Sequence, residues 1–248
     1  MRIIVNGAAG RMGKTLVELI RESSEYTLVC AADRAFASNA EKPFAHSVNT
    51  FSGNADCLID FSHHSAARTV CGYCIKRGLP LVMATTGQTA GEREIIAAAA
   101  SQIPVFFSAN MSAGAALAAR LVKTAASFFP EAEIEIVETH RSEKSDLPSG
   151  TALMIADEIK RVRPDSVINV GRRSGGKRSK NEIGIHSLRM GNCAGRHEVY
   201  VCAGSQTVRI IHEAHDGTLF AEGALAAAKY IVRKLPGIYT MRNIADEN

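Results

Sequence analysis

The stretch Glu138-Thr139-His140-Arg141-Ser142-Glu143-Lys144-Ser145-Asp146-Leu147-Pro148-Ser149-Gly150-Thr151-Ala152 gathers the residue types from which acid–base and anion chemistry are built. His140 gives or takes a proton near neutral pH without a large perturbation. Lys144 and Arg141 can hold carboxylates. Pro148 stiffens the segment, and Ser149 can cap a helix that begins near Gly150-Thr151. The first-turn N–H groups of such a helix form an anion site. This inventory suits a small dicarboxylate beside a proton donor, although a solvated loop with a helix cap uses the same residues.

A second constellation lies at the start of the chain. Strand-like Ile3-Ile4-Val5 runs into Gly7-Ala8-Ala9-Gly10-Arg11-Met12-Gly13 and then into a helical pattern. Gly7 permits the tight turn, Gly10 lets backbone N–H groups approach a pyrophosphate, and Gly13 lets the helix pack on the sheet. Arg11 adds charge beside the same phosphates. Asp33 lies 20 residues beyond Gly13, where an acid binds a ribose 2′-hydroxyl. Arg34 beside it can accept a 2′-phosphate, so the pair points to both NADH and NADPH. Ala84-Thr85-Thr86-Gly87 and Ser108-Ala109-Asn110-Met111 follow two further strands. They face the same crevice if the sheet is parallel, and they suit a flat nicotinamide. Helix capping by Thr and Ser is the plainer reading of both loops.

The elements that position these groups follow from periodicity. Over the first ~110 residues strand and helix patterns alternate, which predicts a parallel sheet covered by helices. Expected strands are 3–5, 27–32, 56–61, 79–83 and 103–107; expected helices are 12–21, 66–76 and 93–102; residues 35–54 read as a long loop. Beyond Asn110 the pattern changes to a helix over 113–128, a strand over 133–138, a polar loop to Leu147 and a helix over 151–161. Three strand-like runs, 183–190, 197–203 and 206–212, then precede a closing helix over 219–234. The expected fold is α/β: an N-terminal Rossmann-type parallel sheet with a second α+β domain on a mixed or antiparallel sheet. The expected domains are 1–111 plus 217–248 for the dinucleotide, and 112–216 for substrate and oligomerisation. Two domains suggest closure over the ligands.

Composition narrows the field. The chain has 248 residues, 46% hydrophobic and 22% charged, which is ordinary for a globular protein. A net charge of +4 and 6% aromatics speak against a nucleic-acid partner. No run approaches the ~20 apolar residues of a membrane helix, and Met1-Arg2-Ile3 enters a strand pattern at once, so no signal peptide is expected. The six cysteines read as reduced, mostly buried side chains of a cytoplasmic protein. Cys71-Gly72-Tyr73-Cys74 lies in a helical run with no second ligand pair, and the histidines show no metal spacing, so no metal is expected. His63-His64 reads as a helix start. The basic loop containing Arg172, Arg173, Lys177, Arg178 and Lys180 is expected to attract an anionic ligand.

The chain resembles the dihydrodipicolinate reductase family of diaminopimelate and lysine biosynthesis. That family carries Glu-x-His-His-x-x-Lys-x-Asp-Ala-Pro-Ser-Gly-Thr-Ala, matched here at Glu138, His140, Lys144, Asp146, Pro148, Ser149, Gly150, Thr151 and Ala152. The resemblance runs through nearly the whole chain. It includes Gly7 to Gly13, Asp60-Phe61-Ser62, Ala84 to Gly87, Ala109-Asn110, Ile183-Gly184, Arg189-x-Gly191 and Phe220-Ala221-x-Gly223. It implies NAD(P)H-dependent reduction of 4-hydroxy-tetrahydrodipicolinate, with hydride added to a ring carbon and a proton from His140 assisted by Lys144. It implies a carboxylate cradle at Gly150 and Thr151. It also implies cofactor contacts at Gly7, Ala8, Ala9, Gly10, Arg11, Met12, Asp33, Arg34, Ala84, Thr85, Thr86, Ser108, Ala109, Asn110 and Met111. The family's tetramer, built through the sheet of the second domain, implies a homotetramer here.

The sequence departs from the family at the second signature histidine, a substrate contact, which is Arg141 here. A guanidinium can hold a carboxylate but is not an imidazole. Leu147 replaces the usual Ala, and a basic contact usual near His215-Asp216-Gly217 is missing. A related reductase or dehydrogenase of another dicarboxylate is therefore one alternative. A catalytically silent nucleotide sensor is another, and retention of both His140 and Lys144 argues against it.

Overall fold

A computed structural model describes residues 1–172 and 175–247 of the chain. Contacts divide it into two compact units, one of residues 1–112 with 218–248 and one of residues 113–217.

In the first unit, β1 (Arg2–Asn6), α1 (Arg11–Glu22), β2 (Thr27–Ala32) and β3 (Phe44–Ala45) are followed by β4 (Cys57–Asp60), α2 (Ala67–Arg77) and β5 (Leu81–Met83). Then come α3 (Ala90–Ala100) and β6 (Pro104–Phe107). The strands form the larger sheet, which a strand from the end of the chain completes. On one side the core packs Val70, Cys71 and Cys74 of α2 and Ile96 and Ala99 of α3 against Leu58, Leu81, Met83 and Val105 of the strands. Each fully buried aliphatic side chain of this kind contributes about 1.5–3 kcal/mol. That is why the strands read as continuous apolar runs rather than as alternating ones. Helix α3 begins earlier than its apolar period suggests. Thr89 and Glu92 close a reciprocal capping box, which fixes the start from polar residues.

The second unit opens with α4 (Ala113–Phe128), β7 (Glu133–His140) and α5 (Gly150–Lys160). It continues with β8 (Val167–Val170), β9 (Glu182–Arg189), β10 (Gly195–Ala203) and β11 (Gln206–Ala214). The chain ends in the first unit with α6 (Thr218–Ile231), β12 (Gly237–Tyr239) and α7 (Met241–Glu247).

The first sheet has the order β12-β6-β5-β4-β1-β2-β3, and every pair in it is parallel. From β1 the chain steps outward to β2 and β3, then returns to the other flank of β1 as β4. The switch point therefore lies at the carboxyl ends of β1 and β4.

The second sheet, β11-β10-β7-β9-β8, is mixed. β10 is antiparallel to both β7 and β11, whereas β9 is parallel to β7 and β8. Helices α4 and α5 cover one face, packing Val122, Ile155 and Ile159 on Ile134, Ile136, Ile183, Ile185, Val199 and Val201.

Three features differ from the sequence expectation. The supposed loop over 35–54 contains β3 and one 3-10 turn, Val48–Thr50. β8, β12 and α7 are too short to give a period. Most consequentially, β7 does not stop at Glu138 but runs to His140. Its alternation is unbroken, with Ala132, Ile134, Ile136, Glu138 and His140 all buried. Only the change from apolar to ionisable residues hid its last turn of pleat.

Candidate functional site

Glu138 and His140 both point to the helix-covered face of the second sheet, because residues two apart in a strand share a face. Cross-strand register sets His197 opposite Glu138 and His212 opposite His197, while Arg189 stands opposite His140. A row of ionisable side chains thus continues the apolar core toward the strand ends.

Glu138 has no exposed surface. Arg189 grips it with Nη1 on Oε2 and Nη2 on Oε1, both at 2.9 Å. The Ser149 N–H donates to Oε1 at 3.1 Å, and His140 Nδ1 lies 2.5 Å from Oε2. Burial pushes the Glu138 carboxyl up, but Arg189 and the other hydrogen-bond donors outweigh it and hold the pKa at about 2. Glu138 is therefore a fixed anion. For His140, burial is the largest influence and depresses its pKa; Glu138 opposes that, and Lys144 and Arg189 add to it. Glu138 fixes the ring so that Nδ1 carries a proton, leaving Nε2 as the exchanging atom. A Cβ on Gly195 would lie 3.0 Å from that Nε2, so the glycine makes room for the imidazole.

The surrounding loop is pinned to the same strands. Arg189 also donates from Nε to Lys144 O at 3.1 Å and from Nη2 to Asp146 O at 2.6 Å. Lys144 Nζ sits 2.7 Å from Asp146 Oδ1. Arg141 holds Cys193 O through its N–H at 2.8 Å, and its side chain is half exposed. Ser149 caps α5 through Ala152 N–H at 3.2 Å, so Gly150 and Thr151 open that helix. Arg172, Arg178 and Lys180 form ion pairs with Glu182, Glu135 and Glu131. These three cations of the basic loop are thus partnered by carboxylates of the second unit. Arg173, part of that loop, lies outside the described residues.

Glu138, His140 and His197 offer ligand atoms within 4.8 Å of one another. A cation there would have to displace the guanidinium that already occupies both oxygens of Glu138, so this donor set does not fit a metal ion.

In the first unit, Gly7 turns off β1 with φ +80°, a conformation only glycine adopts without strain. A Cβ on it would lie 2.6 Å from Phe61 C, and one on Gly13 would lie 2.0 Å from Gly7 O. No side chain caps α1 and its first turn holds no acid, so Gly10, Arg11 and Met12 leave that helix start to an anion. Asp33 Oδ2 accepts the Ala9 N–H at 3.0 Å, tying the acid at the end of β2 to the glycine turn. Gly7, Gly10, Asp33, Arg34, His46 and His63 all line one cleft of about 570 Å³ at the switch point. This arrangement fits a dinucleotide. His63 caps a short 3-10 turn and His64 pairs with Glu92.

Thr85 is buried and Thr86 is exposed after β5. Ala84 N–H donates to Asp60 O at 3.0 Å. Ser108 Oγ donates to Asn110 O at 2.7 Å, and Asn110 Oδ1 accepts the Ser112 N–H at 2.8 Å. Ala109 is exposed and Met111 buried in that loop. Asp60 has no exposed surface and gathers the Asn6 amide, the Ser62 hydroxyl and the Thr85 hydroxyl at 2.7, 2.6 and 2.8 Å. Burial raises its pKa against the pull of these bonds. Its role in joining three strand ends was not read from the sequence; an acid closing an apolar strand was the available signal. Arg189 carries part of the family resemblance, but its grip on Glu138 was not read, and His197 and Gly195 were missed as site residues, because nothing local marks a residue whose partner is ~50 positions away in the chain. The Cys71–Cys74 pair is buried in α2, and burial pushes the Cys71 thiol up to about 11, so it is inert packing.

A parallel sheet with a dinucleotide cleft at its switch point, joined to a second sheet carrying a buried acid–imidazole pair, defines a pyridine-nucleotide-dependent oxidoreductase. The profile of dihydrodipicolinate reductase, N-terminus, matches residues 1–111, and that of dihydrodipicolinate reductase, C-terminus, matches residues 114–245. The chain is 39% identical over 246 residues to the 4-hydroxy-tetrahydrodipicolinate reductase of Caldanaerobacter subterraneus subsp. tengcongensis, covering 98% of each chain. It is 36% identical over 243 residues to that of Clostridium tetani, covering 97% of this chain and 95% of the other. The dipicolinate-bound dihydrodipicolinate reductase from Paenisporosarcina sp. TG-14 shares the fold with a TM-score of 0.83 at 22% identity, over 98% of this chain and 99% of that one. The chain belongs to the dihydrodipicolinate reductase family.

Proposed function

We propose that the protein reduces 4-hydroxy-tetrahydrodipicolinate to tetrahydrodipicolinate with NADH or NADPH, in diaminopimelate and lysine biosynthesis. The observation that carries this reading at the site is the buried Glu138–His140 pair, closed by Arg189 and set beside the first turn of α5.

Gly7 to Met12 hold the pyrophosphate, Asp33 the ribose hydroxyls and Arg34 a 2′-phosphate when one is present. Ala84 to Thr86 and Ser108 to Met111 border the nicotinamide. The bound reduced nicotinamide supplies the hydride. Gly150, Thr151 and Arg141 hold substrate carboxylates, with the helix start contributing N–H donors. The 4-hydroxyl group and a neighbouring ring hydrogen leave as water, giving a ring with conjugated C=C and C=N bonds; as the carbon that lost the hydroxyl gains hydride, negative charge grows on the conjugated nitrogen. The His140 imidazolium gives its Nε2 proton to that nitrogen, and Glu138 stabilises the imidazolium before transfer. Lys144, near enough to bias His140 against a proton, draws the substrate anion and assists the transfer. A bound dicarboxylate offsets the cations around His140 and restores its affinity for the proton.

The same reading makes the protein a cytoplasmic homotetramer that uses the second unit as its assembly surface. The sheet face opposite α4 and α5 supports it, since Leu188 and Ile211 are 40% and 49% exposed there. The test is NAD(P)H oxidation with freshly generated 4-hydroxy-tetrahydrodipicolinate, with tetrahydrodipicolinate identified as product. Dinucleotide binding with turnover only of another dicarboxylate would shift the reading to a related reductase, as Arg141 in place of an imidazole would allow. Binding without any turnover would make the chain a nucleotide sensor.

A further inference from the structure

His197 is only 4% exposed and belongs to no step proposed above. Its Nε2 lies 2.9 Å from Ser149 Oγ. That oxygen also accepts the Ala152 N–H at 3.2 Å; a hydroxyl that accepted from both would leave its hydrogen without a partner, so we assign the hydrogen to the imidazole, with Nε2 as the acceptor. Burial first, then His140 and His212, hold the His197 pKa at about 3. The ring is neutral under physiological conditions and carries its proton on Nδ1. That Nδ1 is buried with no hydrogen-bond partner among the described residues. An unsatisfied buried donor costs the fold free energy, so stability alone does not account for a histidine here. Ser149 reaches in the other direction as well, donating its N–H to Glu138 Oε1 at 3.1 Å. One serine thereby joins the Glu138–His140 pair to the start of α5, and His197 decides where its hydroxyl points.

We infer that His197 is a positioning residue for the dicarboxylate: by accepting the Ser149 hydroxyl it locks the Gly150-Thr151 helix start beside Glu138 and His140, and it exchanges no proton in the reaction. The inference rests on the proposed function in taking Gly150 and Thr151 as the carboxylate cradle. The rival role is a proton relay, since the His140 and His197 rings meet edge to face at 5.2 Å. The groups facing His197 are Glu138 and His140 on β7, His212 on β11, and Lys144. Three of these four hold protons off it, and only Glu138 favours one.

The experiment compares full-length wild type with His197→Phe, which keeps a ring but has no acceptor, and His197→Gln, whose Oε1 can replace Nε2. Ser149→Ala and the double variant Ser149→Ala/His197→Phe complete a cycle. Calorimetry with pyridine-2,6-dicarboxylate as probe is paired with NADH affinity, KM, kcat and the pH profile of kcat/KM. The Phe variant should bind the probe about tenfold more weakly and raise KM in proportion. Its kcat and NADH affinity should stay near wild type. The Gln variant should recover most of the loss with an unmoved pH profile, and the double variant should be no worse than the more affected single one. Unchanged probe binding in the Phe variant, equal loss in Gln and Phe, additive losses in the cycle, or a displaced pH limb in the Gln variant would each overturn the inference. If the Phe variant does not fold, Gln and Ser149→Ala carry the comparison. Wild type that binds the probe yet fails to reduce 4-hydroxy-tetrahydrodipicolinate would sink the proposed function and leave the binding comparison intact.

Discussion

Oε2 of Glu138 lies 2.5 Å from Nδ1 of His140, and the two side chains share one covered face of a single strand. The carboxylate is kept anionic where no solvent reaches it, so its charge acts on the imidazole with little screening. The cost of burying that charge is met by the bidentate grip of Arg189. The proton transfer proposed for His140 would thus depend on Glu138, which Arg189 and the Ser149 N–H hold in place.

Removing Arg189 alone should be severe. Arg189→Met leaves the buried Glu138 charge without its guanidinium partner, at a cost of about 3–5 kcal/mol. The double variant Glu138→Gln/Arg189→Met should recover much of that stability while remaining poorly active. Urea midpoints check the first statement and kcat the second. An Arg189→Met midpoint equal to wild type would show that the pair contributes nothing.

Gly195→Ala should slow turnover with little effect on dinucleotide affinity. The new methyl would stand 3.0 Å from His140 Nε2, and the ring cannot retreat without losing its 2.5 Å bond to Glu138. A fall in kcat of about tenfold or more is expected, with NADH affinity unchanged in a fluorescence titration.

These two residues show what the sequence made legible. The parallel sheet, the glycine turn and Asp33 could be read because their signals are local: apolar runs, glycine spacing, and an acid at a fixed distance. His140 and Lys144, the proposed proton donor and its aid, stand out by type and by the family signature. The role of Arg189, itself part of the family resemblance, and that of Gly195 were not legible, because each matters only through register across the second sheet. β7 was read two residues short for a related reason. Glu138 and His140 continue its inward alternation, but as ionisable side chains they look like loop until Arg189 and Ser149 are seen to satisfy them. β8, with four residues, exists because it pairs with β9.

Acid should destabilise the second unit well before ordinary carboxylates titrate. The folded pKa of His197, about 3, lies below its reference value of 6.5. Its unfolded form therefore binds the extra proton, and stability falls as pH drops from 6.5 toward 3. The slope approaches about 1.4 kcal/mol for each pH unit. His140, depressed in the same direction, adds to it. Glu138, lowered to about 2, stabilises the fold above its reference value of 4.5 and loses that contribution as pH falls toward 2. Chemical denaturation of His197→Gln across this range should show a shallower acid slope; a slope equal to wild type would contradict the assignment.

Arg34→Ala should discriminate between the two coenzymes. Asp33 is tied to the glycine turn through Ala9, whereas Arg34 is exposed at the cleft. Loss of its charge should raise KM for NADPH about tenfold, as expected for one charge-assisted phosphate contact, and leave KM for NADH nearly constant. Equal changes for both coenzymes would remove Arg34 from 2′-phosphate recognition.

The central claim is that His140 delivers the proton, and the most direct measurement is the kcat of His140→Gln with freshly generated 4-hydroxy-tetrahydrodipicolinate, alongside its NADH dissociation constant. A fall in kcat of at least about a hundredfold with an unaltered dissociation constant is predicted. Wild-type turnover in that variant would contradict the account.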